Sequence, residues 1–184
     1  GFSNHLYTSE VWYRLLNCGF RVPAGAGTDA FPNFAMLHGP VGLDRVYVHA
    51  GPVLDHARFL AGLKAGRTFV TNGPLLTFTA NGQGPGTVLR ESRVRLVAEV
   101  TTHVPVNRLE LIRNGQVIES TTGERIEKEV TLDASAWFAV RASGVPTRGY
   151  GNEQPRAHSA PIYVNLDGKP VLVKEDVELM IRWL

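Results

Sequence analysis

The sequence predicts an α+β chain built around an immunoglobulin-like antiparallel β-sandwich over residues 73–167. A short α/β segment over 1–72 precedes it, and a strand or helix over 168–184 closes the chain by packing back on that segment. Three observations carry this. Up to about residue 68 the apolar residues recur at helical spacing or in short blocks, and beyond it they alternate with polar ones at period two. Asn114-Gly115 sits between two alternating runs, where a two-residue type I′ turn needs positive φ twice. Finally, Val173, Val177, Met180, Ile181 and Leu184 fall on one helical stripe.

The elements follow in order. Thr8 or Ser9 reads as an N-cap, with Glu10 favourable in the first turn of a helix. Val11, Trp12, Leu15 and Leu16 share its apolar face, and Gly19 stops it. Val22 to Gly27 reads as a short buried strand, and 31–43 as a long loop rich in Pro and Gly. Arg45 to His49 is a strand. Asp55 then caps a helix whose apolar face is Ala57, Phe59, Leu60 and Leu63, ended by Gly66. Strands follow at Leu76–Ala80, Val94–Val100, Leu109–Arg113, Gln116–Glu119, Ile126–Leu132, Trp137–Ala142 and Pro161–Leu166. Short strands between turn signals favour a sandwich with Trp137 at its centre, and no Cys-Trp-Cys arrangement marks an antibody-type domain.

Composition narrows the function. With 43% apolar and 20% charged residues the chain has the makings of a folded core rather than of disorder. A net charge of +2 with scattered basic residues argues against nucleic acid as a dedicated partner. No apolar run approaches the roughly 20 residues of a membrane span. The single cysteine, Cys18, leaves no internal disulfide and leaves the compartment open. Beside Leu15 and Leu16 it reads as a small buried hydrophobe rather than a nucleophile.

The chemistry concentrates in Pro23-Ala-Gly-Ala-Gly-Thr-Asp29-Ala-Phe31. Small residues let the backbone pack closely, and Asp29 follows where the apolar run ends. A carboxylate there suits metal binding or proton transfer at the carboxyl end of a strand, and equally suits a turn cap. Val11–Phe20, Ala26–Phe31, Arg67–Pro74 and His158–Val164, in this order, resemble the carbaryl-hydrolase-like branch of the polymerase-and-histidinol-phosphatase (PHP) superfamily of metallohydrolases. The resemblance implies a distorted α/β barrel that holds metal ions, followed by a β-rich C-terminal domain. Gly27-Thr-Asp-Ala-Phe31 is similar to the family's last metal motif, Gly-Ser-Asp-Ala-His, which makes Asp29 a metal ligand and puts Phe31 where a second ligand would stand. The family's His-x-His strand motif occurs nowhere here, the chain starts at Gly1, and about 70 residues are too few for a barrel. The expectation is a C-terminal piece of a longer enzyme, with residues 1–72 the end of its barrel.

The six histidines form no local metal motif. His5 before the first helix, His38 in the long loop and His158 before a strand are the weak active-site candidates, and His49, His56 and His103 carry no signal. Gly82-Gln-Gly-Pro-Gly86 lacks the following helix of a nucleotide loop, and no Gly-x-Ser-x-Gly elbow is present. Two functions stand against each other. One is the C-terminal part of a metal-dependent hydrolase of an ester, carbamate or phosphoester. It would be inactive alone, its partners the missing barrel portion and a small-molecule substrate. A divalent metal ion would belong to the intact enzyme, since one carboxylate cannot hold it tightly. The other is a non-enzymatic immunoglobulin-like binding or adhesion module. Unpartnered apolar edges at Val22–Gly27 and Arg45–His49 also predict self-association, or cover by the C-terminal helix.

Overall fold

The computed structural model describes residues 5–30, 40–53, 55–146 and 154–183, with His5 and Leu6 described by their backbone alone. Helix α1 spans His5–Asn17, β1 Arg45–Val48, α2 His56–Lys64, β2 Thr68–Thr71, β3 Leu75–Ala80 and β4 Val88–Leu89. The remaining elements are β5 Arg93–Thr101, β6 Val106–Arg113, β7 Gln116–Thr121, β8 Arg125–Thr131, β9 Ala136–Gly144, β10 Arg156–Ser159, β11 Ile162–Val164 and α3 Lys174–Trp183.

Two sheets face each other. The smaller one has the antiparallel order β3-β5-β8. In the larger one β7 pairs β6, β6 pairs β9, and β9 carries β10 and β11 end to end along its other side. This is the strand order of an immunoglobulin-like sandwich. The larger sheet then continues: β10 pairs β2, and β2 pairs β1, all antiparallel, while β4 lies parallel to β11. The sheet therefore begins upstream of residue 73, at Arg45.

Alternation explains the layering. In β5, Val94, Leu96, Ala98 and Val100 turn inward, and Arg93, Arg95 and Glu99 turn to solvent. Between the sheets these residues meet Leu76, Phe78, Leu109, Leu111, Phe138, Val140, Ile162 and Val164 in one apolar core. The β6–β7 hairpin turns at Asn114 and Gly115, whose φ values of 49° and 87° are the two positive angles the type I′ turn requires.

Strand β9 departs from alternation because both of its faces are covered. Phe138 and Val140 enter the sandwich core, whereas Trp137 and Ala139 point the other way. Trp137 is fully buried, but under α1 rather than between the sheets, packed with Tyr13, Leu16, Ile112, Tyr163 and Val171. The central position expected for Trp137 thus belongs to its neighbour Phe138. A one-residue step along a strand exchanges the two faces, so a strand buried on both sides gives no pattern from which to choose.

Three further expectations are corrected. Helix α1 already runs from His5, so Thr8 and Ser9 lie inside it rather than at its cap. Residues 20–30 have no regular secondary structure, so Val22–Gly27 is not a strand. Pro23 supplies no N–H to a ladder and Gly25 and Gly27 weaken one. In α3 the apolar stripe is broken: Ile181 is 64% exposed, while Asp176 is buried. The helix turns a carboxylate rather than a methyl-rich face toward its neighbour, and that neighbour is α1.

Candidate functional site

Two places hold the residues with chemical potential. The first is the junction between α1 and the outer face of the large sheet. Asn17, at the end of α1, is 4% exposed and makes three hydrogen bonds. Its Nδ2 donates to the carbonyl of Asn114 (3.1 Å) and to Oδ2 of Asp176 (2.7 Å), and its Oδ1 accepts from Nε1 of Trp137 (2.7 Å). Asp176 also accepts from Arg14 at 2.6 Å. One amide thereby ties α1, the β6–β7 turn, β9 and α3 together, with every partner satisfied.

One turn earlier on α1, the Tyr13 hydroxyl lies 2.5 Å from Nε2 of His158 on β10. Nδ1 of His158 donates to the carbonyl of Ser159 at 2.7 Å, so Nε2 is the acceptor and the tyrosine donates. Trp12 meets the imidazole edge to face at 5.1 Å. Burial holds the His158 pKa down at about 4, helped by the Arg141 guanidinium and opposed by the bond to Ser159. Burial also pushes the Tyr13 phenol up to about 12. Arg141 is bonded to the buried carboxylate of Glu110, so its charge is matched. A neutral imidazole with both nitrogens engaged has no free position for a metal or a substrate proton, so His158 is a structural group here.

The second place is the Asp29 loop. Thr28 is buried, and its Oγ1 donates to the carbonyl of Asp44 (3.1 Å) while accepting from the Asp44 N–H (3.0 Å). Upstream, the carbonyl of Ala24 accepts from Thr68 Oγ1 at 3.2 Å. The loop is thus fastened to β2 and to the approach to β1. Asp29 comes next, exposed and in the left-handed region at φ 53°, a conformation Asp tolerates better than most residues. Its carboxylate projects from a pinned backbone.

The donor set does not by itself suit a divalent ion. Among the described residues no group of three or more His, Cys, Asp or Glu side chains could hold a metal. The structure does not bring Asp29 and His158 into one such cluster. His38 and Phe31 lie outside the described residues, as does the side chain of His5. Cys18 is half-buried and its thiol is pushed up by burial, then by the nearby Asp176, away from nucleophilic chemistry. The groups that sequence reasoning missed, Tyr13, Asn17 and Asp176, gave one signal: polar positions embedded in otherwise apolar helical stripes.

No protein-family model and no curated protein matches the chain. A solved structure of the fibronectin(III)-like modules of Clostridium thermocellum CbhA aligns with 18% identity and a TM-score of 0.34, over 49% of this chain and 97% of that one.

Proposed function

We propose that this chain is the sandwich-bearing C-terminal portion of a metal-dependent hydrolase, to which it contributes Asp29 as one metal ligand. Two things support the reading. Four sequence blocks resemble the carbaryl-hydrolase-like branch in the same order. The observation that carries the site is Thr28: its two hydrogen bonds to Asp44 fix the backbone directly before an exposed carboxylate in a left-handed conformation. Such pinning is more than a turn cap needs, and it is what a ligand presented to another part of a protein needs. The remaining ligands would come from the missing barrel, and the bond cleaved would be an ester, carbamate or phosphoester. The sandwich would serve as the platform.

The test uses the longer polypeptide that includes the barrel. Asp29→Asn keeps the side-chain size and removes the charge. Metal content and hydrolysis of an activated ester should fall together, while thermal stability stays within about 0.5 kcal/mol, as for an exposed substitution. Asn caps nearly as well as Asp. Full metal and full rate in the variant would assign Asp29 to the backbone turn alone. A longer polypeptide with neither bound metal nor hydrolysis would favour the binding-module reading.

A further inference from the structure

Two grooves open side by side on the flank of the large sheet, and Arg21 lines both. One, of about 330 Å³, lies between Arg21 and Arg90 over Val88 and Asn165. The other, of about 260 Å³, lies between Arg21 and Lys64, with Gly66, Gly86 and Tyr163 in its wall. The three cations arrive from separate parts of the chain: the segment after α1, the end of α2 and the residue after β4. No carboxylate lines either groove among the described residues. Nor does any of the three cations take part in an ion pair there, although eight other described arginines do. The nearby Glu91 turns its carboxylate back to the backbone N–H of Arg90 at 3.1 Å. Arg21 instead lays its guanidinium over the Tyr163 ring, 5.4 Å from the centroid, which holds it in place and leaves its N–H edges open.

The walls are built rather than incidental. Gly86 has φ 83°, and a Cβ there would stand 2.2 Å from the carbonyl of Ala65. Only glycine lets the β4 approach cross the end of α2 this closely, and Gly86, Lys64 and Arg21 line one groove as a result. Cations that line a groove without a counter-charge leave it electropositive, which favours an anion there.

We propose that Arg21, with Arg90 across one groove and Lys64 across the other, binds a small oxyanion, the phosphate or carboxylate group of a small molecule. The volumes sit at or below the lower end of those that enclose drug-sized ligands, so the site takes a compact charged group rather than a large apolar body. It is independent of Asp29 and would operate whether or not the hydrolase reading holds.

Titration of the full 184-residue chain with inorganic phosphate, and separately with acetate, followed by amide and arginine side-chain NMR, tests this. Saturable shifts confined to Arg21, Gly66, Gly86 and Arg90 are expected, weakening as salt is raised. Tighter phosphate than acetate assigns the phosphate class, and the reverse assigns the carboxylate class. Arg21→Gln with Arg90→Gln should weaken binding by about tenfold or more, the worth of a lost charge-assisted bond. Arg93→Gln with Arg125→Gln, on the smaller sheet, removes the same charge and should leave binding unchanged. Should the paired groove substitutions disturb the fold, Lys64→Gln alone on an exposed helix end carries the test. Shifts that never saturate, that spread over the surface, or that persist unchanged in the groove variants overturn the proposal.

Discussion

His158 keeps both ring nitrogens occupied, one by the Ser159 carbonyl and the other by the Tyr13 hydroxyl, and this makes it sensitive to acid. Its ordinary pKa of 6.5 is lowered to about 4 in the folded chain, chiefly by burial. The unfolded chain therefore takes up a proton that the native state refuses. Stability is intact above pH 6.5, falls progressively as pH drops toward 4, and loses nothing more from this group below that. The full difference corresponds to about 3 kcal/mol, a ceiling because His158 as a residue is only half-buried. Urea denaturation of wild type and His158→Gln across this range should show the steeper loss in wild type, and NMR should place the imidazole titration well below 6. Equal pH slopes would remove His158 from the account. The sequence set it ahead of a strand at Pro161–Leu166, whereas it lies within β10, and its partner lies on a helix 145 residues away, which nothing local announced.

Among the elements, β9 and α1 set the architecture. Strand β5 was readable because one face is wet, and the β6–β7 hairpin because Asn-Gly answers a specific backbone demand. The Asp55 cap was equally readable, and its side chain does accept from the Ala57 N–H. Strand β9 was readable as a strand over Trp137–Ala142, but which of its faces meets the core was not, since Ala136 to Val140 are all buried and alternation vanishes. Helix α3 was legible from its apolar positions, but its docking was not, since that runs through Asp176 to Arg14 and Asn17. Two substitutions separate the layers. Trp137→Ala and Phe138→Ala should each cost about 3–5 kcal/mol, as large aromatic truncations do. Trp137→Ala should also release α1, lowering helical circular dichroism before the sheet unfolds, whereas Phe138→Ala should leave the helix signal coupled to global unfolding. The opposite pairing would place Trp137 between the sheets after all.

At the scale of the whole molecule, the two outer faces of the sandwich are finished differently. The smaller sheet shows solvent a lattice of ion pairs, Arg93 with Glu129, Arg95 with Glu127 and Arg125 with Glu99. Exposed pairs of this kind contribute little stability, but they keep that face soluble. The larger sheet hides its outer face under α1 and the chain that leads to α3, and it grows by β2 and β1 on one flank. The α1 helix, the Asp29 loop and the sandwich are thereby one body, and only a single body can hold Asp29 in a fixed place. Native-state hydrogen exchange measures this directly. The amides of Tyr13 to Asn17 should open only with global unfolding, at the same free energy as the central amides of β6 and β9. If α1 exchanges at a free energy several kcal/mol below those strands, the helix is a loose appendage and the account of a single platform is wrong.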